Sequence, residues 1–286
     1  MSELQDSLQE EYFGHEHVTV IEPVKGWRML DLKEIWAYRE LLWVLTMRDV
    51  KVRYKQTVLG VAWAVIQPVM TMVVFSIIFG RLAGLPSDGF PYPVFVYAAL
   101  LPWTFFANAI SQSANSVVGA QNLVSKVYFP RLLIPLSSIG AGLVDLAIST
   151  LILLCLMLFF GVMPTWQLLV APILLVAVVF TALGVGTLLA ALTVAYRDFR
   201  YVVGFMVQIW LYCTPVVYAS SLIPERWQWL LFLNPMAGLV DGFRSVFLGQ
   251  AFNVEALLTS FIISIVIFLV GIAYFETVER RFADII

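Results

Sequence analysis

Six stretches of this chain run for nineteen residues or more with at most one charge, and short polar or basic segments separate them. They fall at residues 58–79, 93–115, 133–160, 168–195, 201–219 and 256–275. A helix of 22 residues, the length of the first, rises roughly 33 Å, about the thickness of a bilayer's hydrocarbon core. The pattern therefore predicts an all-α integral membrane protein with six transmembrane helices. The second stretch changes character along its length. Its later part carries Asn108, Ser111, Gln112, Ser113, Asn115 and Ser116, too polar to face lipid comfortably.

Two shorter regions carry a weaker pattern. Over residues 31–48, Leu32, Ile35, Tyr38, Leu42 and Leu45 share one helical face, and Lys33, Glu40 and Arg48 lie opposite. Asp31 and Glu34 have capping-box spacing, so a helix is expected to start there. Trp36 and Trp43 flank the stripe, which suits a helix lying in the membrane interface. The other reading is a soluble helix packed on a partner. Residues 221–250 hold two apolar pieces too short to cross, split at Asn234-Pro235. They predict two re-entrant or interfacial helices joined by a tight turn.

Charge then sets the orientation. Arg48, Lys51, Arg53 and Lys55 crowd against the start of the first span. Fourteen of the 17 Lys and Arg fall in segments that are cytoplasmic if the N-terminus is inside; three fall outside. That bias predicts both termini in the cytoplasm. Residues 1–26 form an acidic tail with Glu3, Asp6, Glu10, Glu11, Glu16 and Glu22. Residues 27–55 follow as interface helix and basic stretch, and 56–286 as the membrane domain. No cleavable signal pattern opens the chain, so insertion is expected to use the first span. The 61% hydrophobic and 13% charged composition, with mean hydropathy +0.89, leaves too little polar surface for a soluble domain of this size.

Little in the chain suggests bond-breaking chemistry. No Gly-Lys dipeptide occurs anywhere, so a phosphate-binding loop of the G-x-x-x-x-G-K-[ST] kind is absent. No nucleophile and base can be paired, His15 and His17 in the tail make no ligand set, and no metal site is expected. Cys155 and Cys213 lie inside apolar spans and are expected to pack as small hydrophobes. Gly184-Val185-Gly186 in mid-span reads as helix packing. Asp145 is the one acid inside a span. Its charge costs on the order of 2.5–3.5 kcal/mol at mid-helix, so it needs a partner or a cavity. A hydrogen-bonded helix contact is the preferred reading, and a proton or ion site the other.

Some aromatic positions stand one turn from amides. Trp63 and Gln67 do so on the first span, and Phe205, Gln208 and Tyr212 share a face of the fifth. Such faces suit a sugar, whose ring stacks while its hydroxyls hydrogen-bond; belt and core packing is the plainer account. Arg48, Arg53 and Lys55 could meet an anionic lipid or pyrophosphate headgroup, although orientation alone accounts for them.

Five stretches in order, RDVKVRYKQTVLGVAWAVIQPV (48–69), NLVSKVYFPRLLIP (122–135), YRDFRY (196–201), TPVVY (214–218) and LNPMAGLVDGFRSVFLG (233–249), carry a family resemblance. The sequence resembles the permease subunit of polysaccharide-exporting ABC transporters of the type-2 exporter class, over roughly residues 27–280. The resemblance implies a dimer of this chain with two copies of an ATP-binding subunit, and a conduit along the dimer axis for a lipid-linked polysaccharide such as O-antigen. It implies that ATP and Mg bind the partner subunit, with no cofactor in this chain, no nucleic acid and no enzyme activity here. It implies residence in the bacterial inner membrane among its lipids. It assigns ATPase coupling to Lys126, Tyr128, Phe129, Pro130 and Arg131 in one loop, and to Arg197, Asp198 and Arg200 in the other. Gly204 departs from the proline common in related sequences. An ABC exporter of another lipid or drug, and an ion-coupled transporter centred on Asp145, are the alternatives.

Overall fold

The computed structural model describes residues 32–55, 60–196, 198–279 and 282. The acidic tail, Asp31, the junction at 56–59, Arg197, Arg280 and Arg281 lie outside the described residues. Among the described residues every regular element is helical. The first, α1, spans Leu32–Ala37. After a turn at Tyr38, α2 runs from Arg39 to Lys55, seven residues beyond the expected end at Arg48. Arg53 and Lys55 occupy its last turn, where cations complement the helix dipole, so the basic run extends the helix. The predicted stripe holds: Leu45 is buried, Ile35, Tyr38 and Leu42 are half-buried, and Lys33, Glu40 and Arg48 are exposed.

The membrane helices follow. Helix α3, Gly60–Phe75, widens into a π-helical end at Ser76–Leu82. Helix α4 spans Tyr92–Gly119 and is followed by the single turn α5, Gln121–Val124. Helix α6 spans Leu133–Phe159 and α7 spans Ala171–Ala195, entered through a 3-10 turn at Trp166–Val170. Then come α8 (Phe199–Cys213), α9 (Glu225–Phe232), α10 (Pro235–Leu248) and α11 (Val254–Glu279). Five segments are long and apolar enough to cross a membrane: Ala62–Leu82, Tyr92–Gly119, Leu133–Phe159, Trp166–Ala195 and Val254–Glu279.

The expected fifth span at 201–219 is shorter. Helix α8 stops at Cys213 after 15 residues, about 22 Å of rise against a core of about 30 Å. Pro215 forces the break: the residue before a proline is pushed out of the helical region, and Thr214 is extended (φ −106°, ψ 137°). Where a re-entrant or interfacial pair was expected, the chain forms two short helices, α9 and α10, with Asn234 capping the second.

Helix α4 is the centre of the bundle, packed by α3, α6, α7, α8 and α10. Its polar half accordingly turns inward: Ser113 is fully buried and Gln112 half-buried, whereas Asn108 stays exposed. Helices α7 and α11 cross backbone to backbone. A Cβ on Gly271 would fall on the Gly184 carbonyl, and one on Gly184 on the carbonyl of Ile267. Small residues permit that approach, and the Thr181 hydroxyl seals it with a 2.7 Å bond to Ser264. Cys155 and Cys213 are free and exposed on the single chain, rather than packed inside as expected. Each stands on an outward face of its helix.

Candidate functional site

Polar side chains gather where α2 meets α6 and α4. Arg53 donates to the Asp145 carboxylate on α6 and to the Gln112 side-chain oxygen on α4. The Tyr54 hydroxyl donates to the other oxygen of Asp145. One and two turns earlier on α2, Asp49 accepts from Ser137 at 3.1 Å, and Thr46 lies against Gly140. Thr46, Asp49 and Arg53 share one face at spacings of three and four residues, as helix geometry requires. Burial, reinforced by the bond to Asp145, pushes the Tyr54 phenol up to about 12, so it stays a donor. The span carboxylate thus has a partner on each oxygen, which is the helix contact expected of it.

The three candidate headgroup cations separate. Arg53 turns inward to Asp145, and Arg48 bonds its neighbour Asp49 at 2.8 Å. Lys55 is exposed, and with Arg48, Lys51, Trp43, Val44 and Val52 it borders a shallow hollow on the outer face of α2. Exposed tryptophan and valine beside cations is the composition of a surface that meets lipid headgroups.

The loop between α4 and α6 divides into anchor and tip. Phe129 is buried, Pro130 is half-buried, and the Arg131 backbone N–H donates to the Glu279 carboxylate at 3.0 Å. The Arg131 guanidinium also donates to the Glu279 carbonyl and lies over the Phe282 ring, 6.0 Å from its centre. These contacts pin the loop to the end of α11. Lys126, Val127 and Tyr128 stand exposed at its tip. Asp198 and Arg200, at the start of α8, are exposed as well. Two crossings, α6 and α7, separate these segments, so both lie at the same end of the bundle.

The aromatic and amide positions do not converge within one chain. Trp63 and Gln67 on α3, and Phe205, Gln208 and Tyr212 on α8, are all exposed, and each helix packs on α4. Together they leave two polar-aromatic faces without a covering element among the described residues.

Arg244 on α10 was given no role beyond its charge in the sequence reading. It is 1% exposed, donates to the carbonyls of Val216 (2.6 Å) and Tyr218 (3.0 Å), and rests 3.9 Å above the Phe95 ring. The Tyr92 hydroxyl takes the carbonyl of Val217 between them. Past the break at Pro215 the backbone is no longer helical, Val216 and Val217 are buried, and carbonyls left unpaired there would carry a desolvation cost. Arg244 and Tyr92 remove that cost. Asn234 ties the other end: it caps α10 through the Met236 N–H, accepts from the Trp210 indole at 2.8 Å, and donates to Thr214 at 2.9 Å. An arginine in an apolar stretch, together with Thr-Pro and Asn-Pro breaks, was the available signal.

The ABC-2 type transporter family matches residues 40–248, from the first turn of α2 to the last residue of α10. The chain belongs to this family. Among curated relatives, it is 30% identical over 251 residues to an O-antigen export system permease protein RfbA of Klebsiella pneumoniae, covering 86% of this chain and 95% of that one. It is 29% identical over 257 residues to the inner membrane transport permease YadH of Escherichia coli strain K12, covering 84% and 90%. To the polysialic acid transport protein KpsM of Escherichia coli it is 22% identical over 257 residues, covering 82% and 92%. The ABC-2 match spans the Arg53–Asp145 joint, the pinned loop and the Arg244 clamp alike.

Proposed function

We propose that this chain is the transmembrane subunit of an ATP-driven exporter that moves a lipid-linked polysaccharide across the bacterial inner membrane. The observation that carries this reading is similarity, over more than four fifths of the chain, to an O-antigen export system permease and to a polysialic acid transport protein. Two copies of the chain would pair with two copies of an ATP-binding subunit, which would hold ATP and Mg; this chain would need no cofactor. Both termini would lie in the cytoplasm, as the distribution of Lys and Arg favours. Trp63, Gln67, Phe205, Gln208 and Tyr212 would face the polysaccharide, because stacking rings beside amides suit carbohydrate and these side chains are exposed on the single chain. The tip Lys126–Tyr128, with Arg197, Asp198 and Arg200, would touch the ATP-binding subunit, and Phe129, Pro130 and Arg131 would hold that tip in place. Lys55 and Arg48 would meet lipid or pyrophosphate headgroups.

Reconstitution with and without the candidate ATP-binding subunit tests this directly. Translocation of lipid-linked glycan should require both proteins and ATP, and Tyr128→Ala should lower it severalfold at unchanged abundance. Transport of an ion or small solute by the isolated chain would sink the reading. The similarity to YadH, whose name specifies no sugar, favours a second reading: export of another lipid or a drug by the same architecture. ATP-dependent transport with no glycan among the substrates would select it.

A further inference from the structure

Helix α2 is joined to the spans by side chains of a kind that do not separate easily. Thr46 touches Gly140, Asp49 accepts from Ser137, and Arg53 and Tyr54 together occupy Asp145. Arg53 also reaches Gln112, so one guanidinium bridges α2 to both α6 and α4. Helices α4 and α6 pack on each other in turn. Moving α2 away from them would strip the Asp145 carboxylate, inside the membrane helix α6, of both its Arg53 and Tyr54 partners. We propose that α2, α4 and α6 stay together as one body through the transport cycle, and that Arg53 and Asp145 are the positioning residues that join them. Movement imposed on α2 from the cytoplasmic side is then delivered to the central helix of the bundle, not absorbed by a hinge between α2 and α6.

The proposal rests on the exporter reading, and one pair of positions allows the two to be tested apart. A Cβ built on Gly140 lies 3.8 Å from the Thr46 Cβ, the usual separation of about 3.8 Å across a disulfide. Thr46→Cys with Gly140→Cys, in a chain also carrying Cys155→Ser and Cys213→Ser, would link α2 to α6 covalently. In vesicles containing the full exporter, oxidation should leave glycan translocation within about twofold of the reduced sample, because the link restrains nothing that moves. Loss on oxidation that a reductant reverses would overturn the proposal. Adding Arg53→Ala should lower translocation by about tenfold in the reduced state, and oxidation should restore it, the covalent bond replacing the ionic one. A role confined to folding or insertion would not respond to oxidation of protein already in the membrane. Translocation that is unaffected by Arg53→Ala, or not restored by oxidation, would also overturn the joint. If the unaltered chain moves no glycan, the exporter reading fails by itself. The joint is then judged by disulfide formation with the ATP-binding subunit cycling or stalled: equal extents support it, and unequal extents overturn it.

Discussion

Arg53 and Arg244 both turn inward among the helices, and they do different work. Arg53 reaches side chains, a carboxylate and an amide, on helices whose own backbone bonds are complete. Arg244 reaches backbone carbonyls in a segment that has stopped being helical. The first is a join between finished parts; the second completes an unfinished one. Exposure follows the same division, with about a quarter of the Arg53 side chain accessible and 1% of Arg244. Losing Arg53 leaves a carboxylate and an amide unpaired, whereas losing Arg244 strips two main-chain carbonyls of their donor. The comparison teaches that the worth of a membrane arginine depends less on its charge than on what it leaves unpaired when removed.

The sharpest way to break this contrast is Arg244→Ala. Two buried carbonyls lose their donor, and the chain should lose about 3–5 kcal/mol, seen as a severalfold drop in membrane abundance. Arg244→Lys should recover only part, since an ammonium lacks the planar fork that reaches both carbonyls. Asp145→Asn comes next. It keeps the shape and one acceptor but removes the charge, and should cost about 1–3 kcal/mol in thermal unfolding of the detergent-solubilised chain. Asn234→Ala should cost about 1 kcal/mol, the usual size of a lost helix cap, by the same measurement. Lys51→Ala, on the exposed outer face of α2, should change stability by less than about 0.5 kcal/mol. A loss at Asp145 larger than that at Arg244 would invert the comparison.

The spans were legible because a bilayer demands long apolar runs, and nothing else in the chain produces them. The interior role of the second span was legible too, since six polar residues on a lipid-facing helix would be expensive and Gln112 and Ser113 do turn inward. Gly184 was correctly read as a packing residue and Asp145 as a helix contact. The end of α8 escaped because Thr214 and Pro215 sit within an apolar run, and hydropathy does not register a backbone break. The partner of Asp145 escaped for another reason: Arg53 lies 92 positions away in sequence. Arg244 was counted as one outer-loop cation, because a charge tally cannot distinguish a solvated arginine from one satisfying main-chain carbonyls.

The bond between Arg131 and Glu279 bears on where this protein can be labelled. It brings the end of α11 beside the 121–131 loop, and Phe282 packs under the same guanidinium. A fluorophore carried at position 282 would therefore sit beside Arg131, at the anchored base of that loop. Placed there, a reporter would sense the arrival of another protein at the loop without altering any residue of the loop itself. A bulky label at the same point would crowd that approach, so a small dye is the better choice for functional work.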